Sequence, residues 1–131
     1  MALFMLAFTQ TPQSFAEGCV LLFALLIGHM LADYPLQGDF LAVHKNRHVS
    51  RGGSSMFPQK LWVHCLLAHS MIHAGVVWLI TGRVVFAIAE MVLHFALDFA
   101  KCENWTNYTL DQVLHAVCKA AYVTIIVLAW V

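Results

Sequence analysis

Charge is what this chain has least of. Only 11% of its residues are Asp, Glu, Lys or Arg and 61% are hydrophobic, whereas about a quarter of a soluble domain is charged. The mean hydropathy is +0.76. Lys and Arg together number 7, as do Asp and Glu, so the formal net charge is zero. That balance leaves no basic surface for nucleic acid. Close cysteine pairs are missing too: Cys19, Cys65, Cys102 and Cys118 are scattered, which excludes a knuckle-type zinc site. They read as reduced, mostly buried thiols, with Cys102 alone placed to be an extra ligand. No Lys or Arg precedes the short apolar core of "MALFMLAFTQTPQSFAEG", so a cleavable signal peptide is not expected. Residues 1–12 read instead as an interfacial segment ended by Pro12. No serine stands in a recognisable nucleophile elbow, and Ser70 beside His69 is expected to bond to its own helix.

Long apolar runs are what the chain does have. A spanning helix needs roughly 20 mostly apolar residues, and four windows qualify: about 15–36, 61–81, 84–101 and 110–131. The first opens after "TPQS" and closes near Pro35. Gly82 and Arg83 turn the second tightly into the third, and Thr109 or Asp111 is placed to cap the fourth. The expected fold is an all-α membrane protein, a single antiparallel bundle of four transmembrane helices over residues 1–131. The long polar connection, residues 38–60, carries Lys45, Arg47, Arg51 and Lys60, against Arg83 alone in the second turn. Positive loops stay cytoplasmic, so both termini are expected outside. His44 and His48 lie four apart in this loop, which reads as an anchor to anionic headgroups, with a second metal site as the alternative. Trp62, Trp78, Trp105 and Trp130 fall near span ends, as interfacial tryptophans do.

Every window also carries an expensive polar stripe. The first has His29, Asp33 and Gln37; the second His69 and His73; the third Glu90, His94 and Asp98; the fourth Asp111, His115 and Lys119. Residues four apart share a helical face. His64 falls off the stripe of its own window. Counted from the cytoplasmic ends at about 1.5 Å per residue, Asp33, Asp98 and Asp111 lie within about 5 Å of the surface, and His29, His69, His94 and His115 roughly 7–12 Å in. His73 and Glu90 lie deeper. An intramembrane aspartate costs about 2.5–3.5 kcal/mol or more, so these groups are expected to face one another in one polar pocket in the cytoplasmic half.

Three readings of that pocket follow. Polar side chains hydrogen-bond across membrane helices, but a structural network needs only Ser, Thr and Asn. Imidazole with carboxylate is a ligand set for zinc, and also for manganese or iron; haem would leave the carboxylates unexplained. Chains of Asp, Glu and His also relay protons or cations, but the outer halves of the windows are almost wholly apolar and make a poor pore. The metal reading takes His29, Asp33, His69, His73, His94, Asp98 and His115 as ligands, with Asp111 as ligand or general base and Glu90 as the other candidate base. Lys119 is left either to neutralise a phosphate or to pair with Glu90, and Gln37 and Gln112 to orient ligands or substrate. The chemistry expected is metal-dependent hydrolysis of an ester or phosphoester at the headgroup level. A non-enzymatic protein whose core binds a structural metal and modulates a partner complex is the first alternative, and an ion or proton transporter the second. Membrane lipid is the expected partner, and a homo-oligomer suits so small a bundle.

The stretches "GHMLADYPLQGDFLAVHKN", "HCLLAHSMIHAGVVWLITG", "AEMVLHFALDFAKCE" and "TNYTLDQVLHAVCKAAYV" resemble the small bacterial and phage membrane proteins grouped as domain of unknown function 3307, from about residue 18 onward. That resemblance implies an integral bacterial membrane protein and supplies no activity; the expected location is the bacterial inner membrane. A looser similarity, to inner-membrane proteins labelled metal-dependent hydrolases, implies metal chemistry at His29, Asp33, His94 and Asp98.

Overall fold

A computed structural model describes residues 11–50 and 57–128, the side chain of Ser50 excepted. The expected interfacial segment (save Thr11 and Pro12), Arg51, the last three residues of the fourth window and Trp130 lie outside the described residues. The described chain is all helix, turn and loop. Ser14 starts α1 (Phe15–Asp33) by accepting a hydrogen bond from the Glu17 amide at 3.2 Å, satisfying one of the orphan donors of the first turn. The helix ends at Asp33, earlier than expected, because Pro35 has no N–H with which to continue the helical ladder and its ring crowds the preceding turn.

Two short helices then interrupt what was expected to be plain loop, α2 (Gly38–His44) and α3 (Arg47–Ser50). They form a strap that lies on α4. Phe40 stacks on His44, one turn later, with ring centroids 4.4 Å apart, and Phe57 meets both rings. α4 (Leu61–Thr81) has the expected limits. Gly82 closes it in the left-handed region, at φ 68°, where a side chain would be strained. α5 (Val84–Cys102) follows at once. α6 (Tyr108–Val127) is capped by Asn107, whose side chain accepts from the Leu110 amide at 2.8 Å. Neither Thr109 nor Asp111 is the cap; both are already inside the first turn.

The four long helices form a ring in which α1 and α5 each pack on α4 and α6. The C-terminal Asp33 of α1 meets the N-terminal half of α4, and Asp98 near the end of α5 meets the first turns of α6. Neighbours are therefore antiparallel. Three of the four, α1, α4 and α6, are long and apolar enough to cross a membrane. The remaining long helix, α5, carries Glu90, Asp98 and Lys101 in 19 residues, and its claim to span rests on its place in the ring.

At the end away from the strap, Leu21, Leu25, Val77, Phe86, Val123 and Ile126 fill the centre with buried hydrocarbon. Thr81 turns its hydroxyl back to its own helix and Arg83 donates to the Thr11 hydroxyl at 2.7 Å. The α1–α4 contact depends on Gly28: a Cβ there would sit 2.5 Å from a Val76 methyl and 2.8 Å from the Ile80 terminus. Gly28→Ala is therefore expected to part these helices and lower stability by about 1–3 kcal/mol, the usual effect of overpacking. Thermal unfolding in detergent would read it, and an unchanged melting temperature would mean that the helices can shift without cost.

Candidate metal centre

Spacing by four puts the polar residues of each long helix on its inner face. His29, His69, His73, Glu90, His94, Asp98, Asp111, His115 and Lys119 are all at most 3% exposed. His64, as its offset predicted, is exposed. The remaining residue of the set, Asp33, keeps 11% of its side chain accessible. Each ionisable group on this list would be costly if it faced hydrocarbon. Together they make a column of three layers.

The mouth layer lies beneath the strap. Asp98 Oδ2 accepts from Lys45 Nζ at 2.5 Å, and Asp98 Oδ1 from Lys101 Nζ at 2.9 Å. Lys101 also donates to Asp111 Oδ2 at 2.7 Å, and Lys45 to Gln37 Oε1 at 2.6 Å. Lys45 is thus a buried partner of Asp98 and not part of a headgroup anchor. Arg47 and His48 reach Glu103 on the α5–α6 connection, at 2.5 and 3.1 Å, so they latch the strap and are not left as free basic charge. Beside them the hydroxyls of Tyr34 and Tyr108 hydrogen-bond across the α1–α6 edge.

The middle layer is five imidazoles. His73 stacks on His94 at 3.6 Å between centroids, and His94 on His115 at 4.2 Å. His29 and His69 flank the stack, His29 4.9 Å from His115 and His69 4.7 Å from His73. The floor is a second ion pair. Glu90 Oε1 accepts from Lys119 Nζ at 2.5 Å, and Oε2 from the Tyr122 hydroxyl at 2.9 Å. Of the two places the sequence left open for Lys119, this geometry has it paired with Glu90. Ser70 bonds to the Leu66 carbonyl of its own helix, as expected.

Asp33 stands apart from the other carboxylates. Its oxygens lie 3.3 Å from His29 Nε2, 3.3 Å from His69 Nε2 and 3.1 Å from His73 Nε2. Its fourth neighbour is Gln112, whose amide donates at 3.0 Å. No Lys or Arg among the described residues forms an ion pair with it, whereas Asp98, Asp111 and Glu90 each have a lysine.

These residues fit a divalent ion. Asp33, His69, His73 and His94 each offer a ligand atom within 4.8 Å of the others, as do His29, Glu90, His94 and His115, and separately Asp98, Asp111 and His115. Bonds of about 2.0–2.2 Å in a tetrahedron place ligand atoms about 3.3–3.6 Å apart, close to the 3.1–3.3 Å from Asp33 to its histidines. Both nitrogens of His69 and of His94 are buried without a hydrogen bond, and so are His29 Nδ1 and His115 Nε2. Buried polar atoms normally have partners, and a metal would supply one. Cys102 is buried but belongs to none of these groups; all four thiols are free.

Sequence reasoning missed Lys45 as a site residue, and with it Lys101 and Tyr122. Tyr122, three residues beyond Lys119, continues the α6 stripe and was open to the same spacing rule. Lys45 had no periodic signal, being the cap residue just past the end of α2.

Residues 21–131 match the family described as protein of unknown function (DUF3307). The chain belongs to that family. The match covers all four stripes and the strap, so the whole column lies within the family's common region. No curated protein and no solved structure matches the chain.

Outside the spans, the Arg47 hydrogen bond holds the Glu103 carboxyl below its ordinary range. A carboxyl depressed by folding stabilises the latched state above its unfolded pKa, about 4.3, and loses that contribution as pH falls through its lower folded value. Amide protection factors over residues 38–50, exchange rates corrected for the intrinsic pH dependence, are expected to fall only below about pH 4, and Glu103→Gln to lower them at neutral pH. Equal exchange in the variant and the parent would mean that the latch contributes nothing to holding the strap.

Proposed function

We propose that this protein is a multi-pass membrane metalloprotein of the bacterial inner membrane, all four long helices spanning, with a divalent ion held by Asp33, His69, His73 and His94, and His29 and His115 beside them. The observation that carries the reading is Asp33: a carboxylate among three imidazoles, without a cationic side chain, in a layer where six ring nitrogens are buried without a hydrogen bond. Zinc suits a set of three nitrogens and one carboxylate oxygen best, with manganese and iron as alternatives.

The activity we assign is hydrolysis of an ester or phosphoester presented at the cytoplasmic headgroup level. A bound divalent ion would supply Lewis acidity and lower the pKa of water toward about 7. Asp111 suits the general base, because its Oδ1 is buried without a hydrogen bond while Lys101 steadies the other oxygen. Glu90, held by Lys119 and Tyr122, acts as a positioning residue: its Oε1 lies 3.3 Å from His94 Nδ1, close enough to steer that ring electrostatically without a hydrogen bond. Gln112 does the same for Asp33 and His29, from 3.0 and 3.4 Å. The strap and the Tyr34–Tyr108 pair keep water out from above, and the apolar end closes the column below. That closed end disfavours transport. A structural metal with no reaction is the competing reading, favoured by the number of ion pairs that already tie the helices together.

The test is metal analysis by mass spectrometry of protein purified in detergent without a polyhistidine tag. Near-stoichiometric zinc, manganese or iron supports the centre. A metal-free, folded protein that takes up none on titration sinks it. Phosphomonoester and lipid-ester hydrolysis by the loaded protein then separates enzyme from structural metal site.

A further inference from the structure

Four carboxylates enter the column, Asp33, Glu90, Asp98 and Asp111, and three lysines, Lys45, Lys101 and Lys119. Three of the carboxylates are matched one for one. Yet Asp98, Asp111 and His115 form a group with ligand atoms as close together as those around Asp33, and by donor type it would suit a second ion equally well. The difference between the two groups lies in what already touches the oxygens. Lys45 Nζ holds Asp98 Oδ2, and Lys101 Nζ bridges Asp98 Oδ1 and Asp111 Oδ2.

We propose that the column takes one divalent ion, not two, and that the ammonium groups of Lys45 and Lys101 stand in the place of the second. This rests on the metal reading above and fixes the stoichiometry of that site. An ion bound to Asp98 and Asp111 would need the same oxygens and would bring a double positive charge against two ammoniums in a site screened from water, where like charges repel strongly. Lys45 is nearly as buried as its partner, and its second contact, from Gln37 at 2.6 Å, holds the ammonium in position. The strap therefore sets how many ions bind, because Lys45 arrives on it from 53 residues before Asp98. In an enzyme this arrangement places a metal and two fixed ammoniums on one side of the pocket, a clamp suited to an anionic substrate.

The experiment is zinc titration of metal-depleted, full-length protein in detergent, with bound zinc counted per chain by mass spectrometry and folding followed by helicity and size exclusion. One ion is expected in the wild type and in Lys45→Arg. Lys45→Met combined with Lys101→Met removes both ammoniums and should raise the count toward two. Should that variant fail to fold, the charge-balanced Lys45→Met/Asp98→Asn decides: it should still bind one ion, because Asp98 is not needed. Two ions in the wild type, one ion in a folded Lys45→Met/Lys101→Met protein, or loss of the ion in the charge-balanced variant would each overturn the proposal. Two ions in the wild type would leave the metal reading standing, whereas none in the wild type would remove both.

Discussion

Asp33→Ala protein is expected to bind zinc about 100-fold or more weakly than the parent, and to fold normally. Removing a group that merely orients a ligand already costs 10–100-fold in affinity, and Asp33 is proposed as a ligand that supplies the centre's uncompensated negative charge. Its neighbours are three imidazoles and the Gln112 amide, so its loss strands no lysine. Asp33→Asn should weaken binding nearly as much while keeping the Gln112 contact through its carbonyl oxygen. Competition with a fluorescent zinc chelator, in detergent at neutral pH, reads both. Unchanged affinity would move the ion elsewhere in the column, and Asp98→Asn measured alongside would then say whether the mouth layer holds it.

Lys119→Met is expected to destabilise the bundle by about 3–5 kcal/mol, the cost of leaving a buried charge without its partner. Lys119 and Glu90 are each 1% exposed and lie 2.5 Å apart, so water screens neither. Tyr122 still donates to Glu90 in the variant, but one hydroxyl does not replace an ammonium. Lys119→Met with Glu90→Gln should recover most of the loss, because a neutral pair of similar volume strands no charge, and replacing a buried ion pair outright is often harmless. Thermal and denaturant unfolding in detergent would give both values. A double variant as unstable as the single one would mean that the pair matters for its packing and not for its charge.

The inner faces of the long helices were legible because helical periodicity is a local property. His29 and Asp33, His69 and His73, and the triplets on α5 and α6 each declare a face by spacing alone, and rise per residue gives their depth. The α4 limits were legible for a similar reason, with Gly82 ending the helix. The strap was not. "GDFLAVHK" has no repeat long enough to separate a seven-residue helix from loop, and nothing in it says that Lys45 turns inward. What does say so is remote: Asp98 and Asp111 need cations, and only the folded ring shows that Lys45 and Lys101 are the ones within reach. The partner that Arg47 and His48 find, Glu103, was hidden for the same reason, because it lies 55 or more residues away. The cap of α6 went to Asn107 over two equally plausible neighbours, a choice set by where the α5–α6 connection lets the helix begin.

The tight Gly82–Arg83 turn bears on biosynthesis. On the proposed four-span reading, α5 alone in a bilayer would carry Glu90 without its lysine, at a cost of a few kcal/mol, while His69 and His73 wait on α4 and Lys119 on a helix not yet made; Asp98 has Lys101 on its own helix. With two residues between α4 and α5, the pair is ready to enter as one hairpin, His69 and His73 already shielding the acids of α5 from lipid. Lengthening that turn by a flexible dozen residues would let α5 arrive by itself, and the nascent chain would then be prone to leave it stranded outside the membrane.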